Sequence, residues 1–138
     1  MTGSAGTRSV SDVARARTAV AEAGQVERAG DRFLAGHLAA LRVAAIVLAA
    51  RAGPLRVPRP RNAWRTVAEV APELAEWALL FAATEAERDA VRAGEAEVVS
   101  AEQADALVSN SGRFLALVER ALAGPATPVV LVPAGEPR

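Results

Sequence analysis

From Phe33 to Ala50 the chain reads FLAGHLAALRVAAIVLAA, a run in which only His37 and Arg42 carry polarity. A segment this apolar has to leave water along most of its circumference. It predicts a helix from about Asp31 to Ala52, with Leu34, Leu38, Leu41, Ala45 and Leu48 spaced as one apolar seam and Asp31 at the positive end of the helix dipole. The length approaches that of a membrane span. The internal His37 and Arg42 and the abundance of Ala instead favour a buried core helix.

A core helix needs neighbours, and the rest of the chain supplies them. The 138 residues make one domain, long enough to bury roughly 70% of the surface exposed when unfolded. The apolar half contains 34 Ala, 17 Val and 13 Leu but one Ile, three Phe and two Trp. Ala favours helix, and small contact residues let helices approach closely. The bulk is left to five aromatics: Phe33, Trp64, Trp77, Phe81 and Phe114. The Ala, Arg, Gly and Val excess without Lys also matches GC-rich coding.

Punctuation divides the chain into helices. Ser9 or Ser11 can cap a first helix running to about Arg28, with Val13 and Val20 on one face and Gly30 ending it. Gly53 and Pro54 stop the second, and Pro58 and Pro60 keep Gly53–Asn62 extended. After Asn62, a possible cap, Trp64, Val67 and Val70 mark two turns. Pro72 then forces a kink or a fresh start, with Leu74, Trp77 and Phe81 inward. Thr84 with Glu87, and Ser100 with Gln103, read as capping boxes opening a short helix to Ala93 and a last helix to Ala123.

Gly94 breaks the pattern, and Glu95 to Val99 reads as a loop whose valines tuck inward. Leu107, Phe114, Leu115, Val118 and Leu122 face inward from the last helix, and Asn110-Ser111-Gly112 suggests a local bend. The expectation is an all-α, up-and-down bundle of four to five helices over residues 10–124. It is preceded by a flexible segment, 1–9, and followed by a Pro-rich tail, 125–138, read as disordered or lent to a partner as a strand. The first ten residues lack the apolar core of a signal peptide, so the chain reads as cytoplasmic, with no membrane partner.

Charge is balanced overall but not along the chain. Arg32 to Ala68 holds seven Arg and no acid, against nine Arg and 16 acids elsewhere. Arg51, Arg56, Arg59, Arg61 and Arg65 lie on or beside the Pro-rich connection. Guanidinium forks match phosphate geometry, so this group is a candidate anion or nucleic-acid site. The alternative is pairing with Glu69, Glu73, Glu76 or the acidic Glu85–Asp89 stretch, within one chain or across a dimer.

Catalytic candidates are few. With no Cys and one His, Cys-based and His-rich metal sites are excluded, and no cofactor motif is present. His37 is either a partly buried polar residue or the only imidazole able to move a proton near neutral pH. Arg32, five residues earlier, could steady a phosphate beside it. Five helical residues turn about 500°, however, so the two side chains would diverge by about 140° unless the first turn frays or a dimer brings them together.

Three stretches carry a resemblance: FLAGHLAALRVAAIVLAARA, AWRTVAEVAPELAEWALLFA and SAEQADALVSNSGRFLALVERAL. Together with the Pro and Arg connection, they make the chain from about Val13 to Ala123 similar to small HEPN-domain proteins of GC-rich, actinobacterial-type bacteria. The resemblance implies a four- or five-helix bundle that forms a homodimer with a shared groove. It implies metal-independent ribonuclease activity in members bearing an Arg, four to six residues, then His, and a nucleotidyltransferase-like partner where the member is a toxin. Arg32 and His37 match that spacing.

The family motif lies toward the carboxyl-terminal end, and here Asn110–Ala121 offers Arg113 and Arg120 but no His. The chain therefore reads as a non-catalytic member, a binding module engaging nucleic acid, nucleotide or a protein partner through its Arg-rich connection. A metal-independent endoribonuclease is the alternative, and a homo-oligomeric scaffold with pairing charge poles is a third reading.

Overall fold

The computed structural model describes residues 2–52 and 63–123, with side chains from Val10 onward. Six α-helices follow in order: α1 (Thr2–Gly24), α2 (Ala29–Arg51), α3 (Ala63–Val70), α4 (Ala75–Ala83), α5 (Glu85–Arg92) and α6 (Ala101–Ala123). Single 3-10 turns at Pro72–Leu74 and Ala96–Val98 link α3 to α4 and α5 to α6. No strand occurs among the described residues. The expected all-α bundle is present.

The long helices set the framework. α1 runs antiparallel to α6, with Arg17 paired to Glu119 at one end and Gly24 beside Val108 toward the other. α2 runs parallel to α6, because Arg32 meets Asp105 while Gly36 meets Ser111. The short helices α3 to α5 form the return, so the third limb of an up-and-down bundle is broken into pieces. Pro72 explains one break, since it cannot donate a helical hydrogen bond and sits at the start of its 3-10 turn. Gly94 explains another: its φ of 101° lies in the left-handed region that favours glycine.

All five aromatics are buried, as expected from their scarcity. Trp64, Trp77, Phe81 and Phe114 form one ring cluster with centroids 5.0 to 6.5 Å apart. Glycines bring helices together where a side chain would intrude. A Cβ at Gly36 would lie 3.0 Å from Val108 Cγ2, and one at Gly30 3.2 Å from Ala96 and Val91.

Several local expectations are corrected. α1 begins at Thr2, so Ser9 and Ser11 lie inside the helix instead of capping its start, and extending an existing helix gains a hydrogen bond for each residue added. The break between α1 and α2 falls at 25–28, and Gly30 sits buried inside the first turn of α2. α2 also turns a different face inward. Phe33, His37, Ala40, Val43, Ala44 and Val47 are buried, whereas Leu38 and Ala45 of the expected seam are exposed. The aromatic cluster and close-packed α6 occupy the side rich in small residues.

The Ser100–Gln103 capping box forms reciprocally at 2.7 and 3.0 Å. Thr84 caps no box. It ends α4, and its hydroxyl donates to the Phe81 carbonyl at 2.8 Å, satisfying a helix-end acceptor instead. Val99 tucks inward but Val98 is exposed. α6 is continuously helical through residues 110–112, where Asn110 and Ser111 are buried and the Ser111 hydroxyl lies 2.9 Å from both the Gly36 and the Leu107 carbonyls, its one proton shared between them.

Candidate functional site

His37 lies in the core rather than on a surface. Its imidazole has 0% exposure and meets Trp64 edge-on, with ring centroids 6.3 Å apart. Nε2 makes a long 3.4 Å contact with the Phe81 carbonyl, which calls for the Nε2–H tautomer, and Nδ1 has no partner in the protein. Burial lowers its pKa to about 4, helped by the Arg88 cation and opposed by the Phe81 carbonyl and Asp89. An imidazole in this setting is neutral at pH 7.

Arg32, five residues away, faces elsewhere. Its Nη1 donates to the Val26 and Glu27 carbonyls, both at 2.9 Å. Nε lies 2.9 Å from Asp105 Oδ1, an ion pair although off-line for a hydrogen bond. A weaker contact of 3.5 Å reaches the Ala101 carbonyl. Arg32 thus ties the α1–α2 turn to the start of α6. The structure does not bring Arg32 and His37 together, as the angular divergence on a regular helix requires.

Among the arginines near the connection, Arg51 and Arg65 are described. Arg51 pairs with Glu73 at 2.6 Å, both side chains being largely covered. This is one of the intramolecular pairings considered from sequence, and Arg51 also complements the negative end of α2. Arg65 is exposed on α3 and has no ion-pair partner among the described residues. Arg56, Arg59 and Arg61, the Gly53–Asn62 connection and the 125–138 tail lie outside the described residues. No cluster of three or more His, Asp or Glu able to hold a metal ion occurs among the described residues.

Sequence reasoning missed Arg88. Its side chain is largely covered beside Asp89, at 3.1 Å, and acts electrostatically on His37 from α5. Nothing in local spacing links residues 37 and 88, which only the packing of α2 against α5 brings together.

One helix, α2, is long and apolar enough to cross a membrane, and more than half of its most apolar window is buried inside the bundle. It is the central helix, touching α1, α3, α5 and α6. The all-α bundle agrees with the helical fold expected from the resemblance to HEPN domains. Residues 23–119, from the end of α1 through most of α6, match the family described as SAV_6107-like HEPN, and the chain belongs to that family. No curated protein and no solved structure matches it.

Proposed function

We propose that this chain is a non-catalytic HEPN module that binds a nucleic acid or nucleotide through the arginine-rich segment between the end of α2 and the start of α3. The carrying observation is the one-sided charge of residues 32–68, seven Arg without an acid. Arg32 and Arg51 are engaged by internal acceptors, and the exposed Arg65 has no such partner. Phosphate is the chemistry that a concentration of guanidinium groups fits best.

The burial of His37 supports the non-catalytic half of the reading. A general acid or base must come within hydrogen-bond reach of its substrate, and the only imidazole in the chain is enclosed by Trp64 and Phe81. The ribonuclease alternative rests on the Arg32–His37 spacing alone.

Fluorescence anisotropy of a labelled single-stranded RNA, with ATP as competitor, tests the proposal. Affinity is expected to fall steeply with salt and to vanish when Arg56, Arg59 and Arg61 are changed to Glu. Unchanged affinity in that variant overturns the assignment. A gel of end-labelled RNA in chelator is expected to show no cleavage; cleavage by the parent that His37→Ala abolishes replaces the binding module with a ribonuclease. If the parent binds neither RNA nor nucleotide, a protein partner of the nucleotidyltransferase kind is the reading that follows.

A further inference from the structure

α1 and α2 meet along an open groove that neither helix fills. Its wall on α1 is built from the small residues Ser11, Ala14, Thr18 and Ala19, and its charges come from Arg15 and Glu22 on α1 and Arg42 on α2. Steps of three and four residues put the α1 positions on one face of that helix, over about 16 Å from Ser11 to Glu22. Because the wall is small, the groove keeps a volume of about 390 Å³, within the range of small-molecule sites.

The charges are uncommitted and unevenly placed. Among the described residues Arg42 is exposed and has no hydrogen-bond or ion-pair partner. Arg15 has one loose 3.8 Å contact with Asp12, and its side chain is 72% exposed. Two guanidinium forks facing one groove, with the Ser11 and Thr18 hydroxyls one turn to either side of Arg15, make the donor set of an oxyanion site. Glu22 lies two turns beyond Arg15, about 10 Å along α1, and gives the far end the opposite sign. It attracts a cationic group and repels a second anion.

The same lining argues against a nucleotide or a nucleic acid strand here. Among the described residues no aromatic ring lines the groove to stack on a base, and Glu22 opposes a polyanion. We propose that the α1–α2 groove binds a small zwitterionic metabolite, its carboxylate or phosphate held between Arg15 and Arg42 and its ammonium group on Glu22. Binding at this site is independent of the arginine-rich connection and does not rest on the nucleic-acid reading.

Titration of the isotope-labelled full chain with 6-aminohexanoate, 6-aminohexyl phosphate and adipate, followed through amide chemical shifts, tests it. Saturable shifts are expected at residues 11–22 and around Arg42. The tighter of the two zwitterions identifies the oxyanion as carboxylate or phosphate. Adipate, which replaces the ammonium by a second carboxylate, is expected to bind at least about tenfold more weakly than that zwitterion, because it sets like charge against Glu22. Arg15→Gln and Arg42→Gln are each expected to raise its Kd about tenfold, and Glu22→Gln to weaken the zwitterions while strengthening adipate. Circular dichroism should show parent-like helicity in all three variants, whose substituted positions are exposed. No saturable shift with any probe, binding indifferent to any of the three substitutions, or adipate binding as tightly as the better zwitterion each overturns the proposal.

Discussion

The Ser111 hydroxyl donates to the Gly36 carbonyl at 2.9 Å, joining α6 to α2 where a Cβ on residue 36 would meet Val108 Cγ2 at 3.0 Å and Val108 N at 3.4 Å. Hydrogen bond and close approach depend on each other. Gly36→Val is expected to destabilise the fold by about 2 kcal/mol or more despite removing a helical glycine, because overpacking outweighs the gain in helix propensity. Ser111→Ala should cost about 1 kcal/mol, as both accepting carbonyls lie in helices. Urea unfolding followed by circular dichroism measures both.

His37 makes stability depend on pH. Its pKa falls from 6.5 when unfolded to about 4 when folded. The unfolded chain therefore binds the proton more tightly, and stability rises with pH through this window. The contribution is fully present above pH 6.5 and is lost progressively as pH falls toward 4, on the order of 3 kcal/mol in all. In His37→Leu this part of the slope should disappear. Urea unfolding of parent and variant at intervals between pH 4 and pH 7 isolates it from the carboxylates.

Arg32→Ala frees the Val26 and Glu27 carbonyls and leaves Asp105 unpaired. A loss of about 2 kcal/mol is expected, in the range for hydrogen bonds to charged groups. Arg32→Lys should recover only part, since an ammonium cannot reproduce the guanidinium fork. Hydrogen exchange at residues 25–32 should rise in the Ala variant.

Phe114 is fully buried and contacts the rings of Trp64, Trp77 and Phe81. Phe114→Ala is expected to cost about 3 to 5 kcal/mol. Tryptophan fluorescence should report a changed environment for Trp64 and Trp77 in whatever fraction stays folded.

Much of the architecture was legible because its causes are local. Pro72 and Gly94 act on their own backbone, and the Ser100–Gln103 box closes within one turn, so each marks an element boundary without reference to the rest of the fold. The aromatic core was legible for a different reason: five large side chains in a chain of 138 residues have few other places to go. Arg clustering is visible in sequence order alone.

Thr84 shows where local reading stops. Its pattern suits an N-cap, yet its hydroxyl bonds back to the Phe81 carbonyl, which also accepts the Thr84 amide where α4 ends and α5 begins. Arg32 and His37 show the same limit at the candidate site. Their spacing matches a catalytic motif, but one side chain binds the turn between α1 and α2 and the other fills the core.

The sequence by itself determined that the chain is helical, where most of its helices end, which aromatics fill the interior and where positive charge gathers. Only the tertiary structure decided which apolar face of α2 turns inward, that His37 is sealed and neutral, and that Arg32 is a structural tie. Helix periodicity ranks positions around one axis, but α2 is apolar on two sides. The choice between them belongs to the partners that pack across it, the Trp64–Phe81 ring cluster and the close-packed α6, which no spacing within the helix encodes.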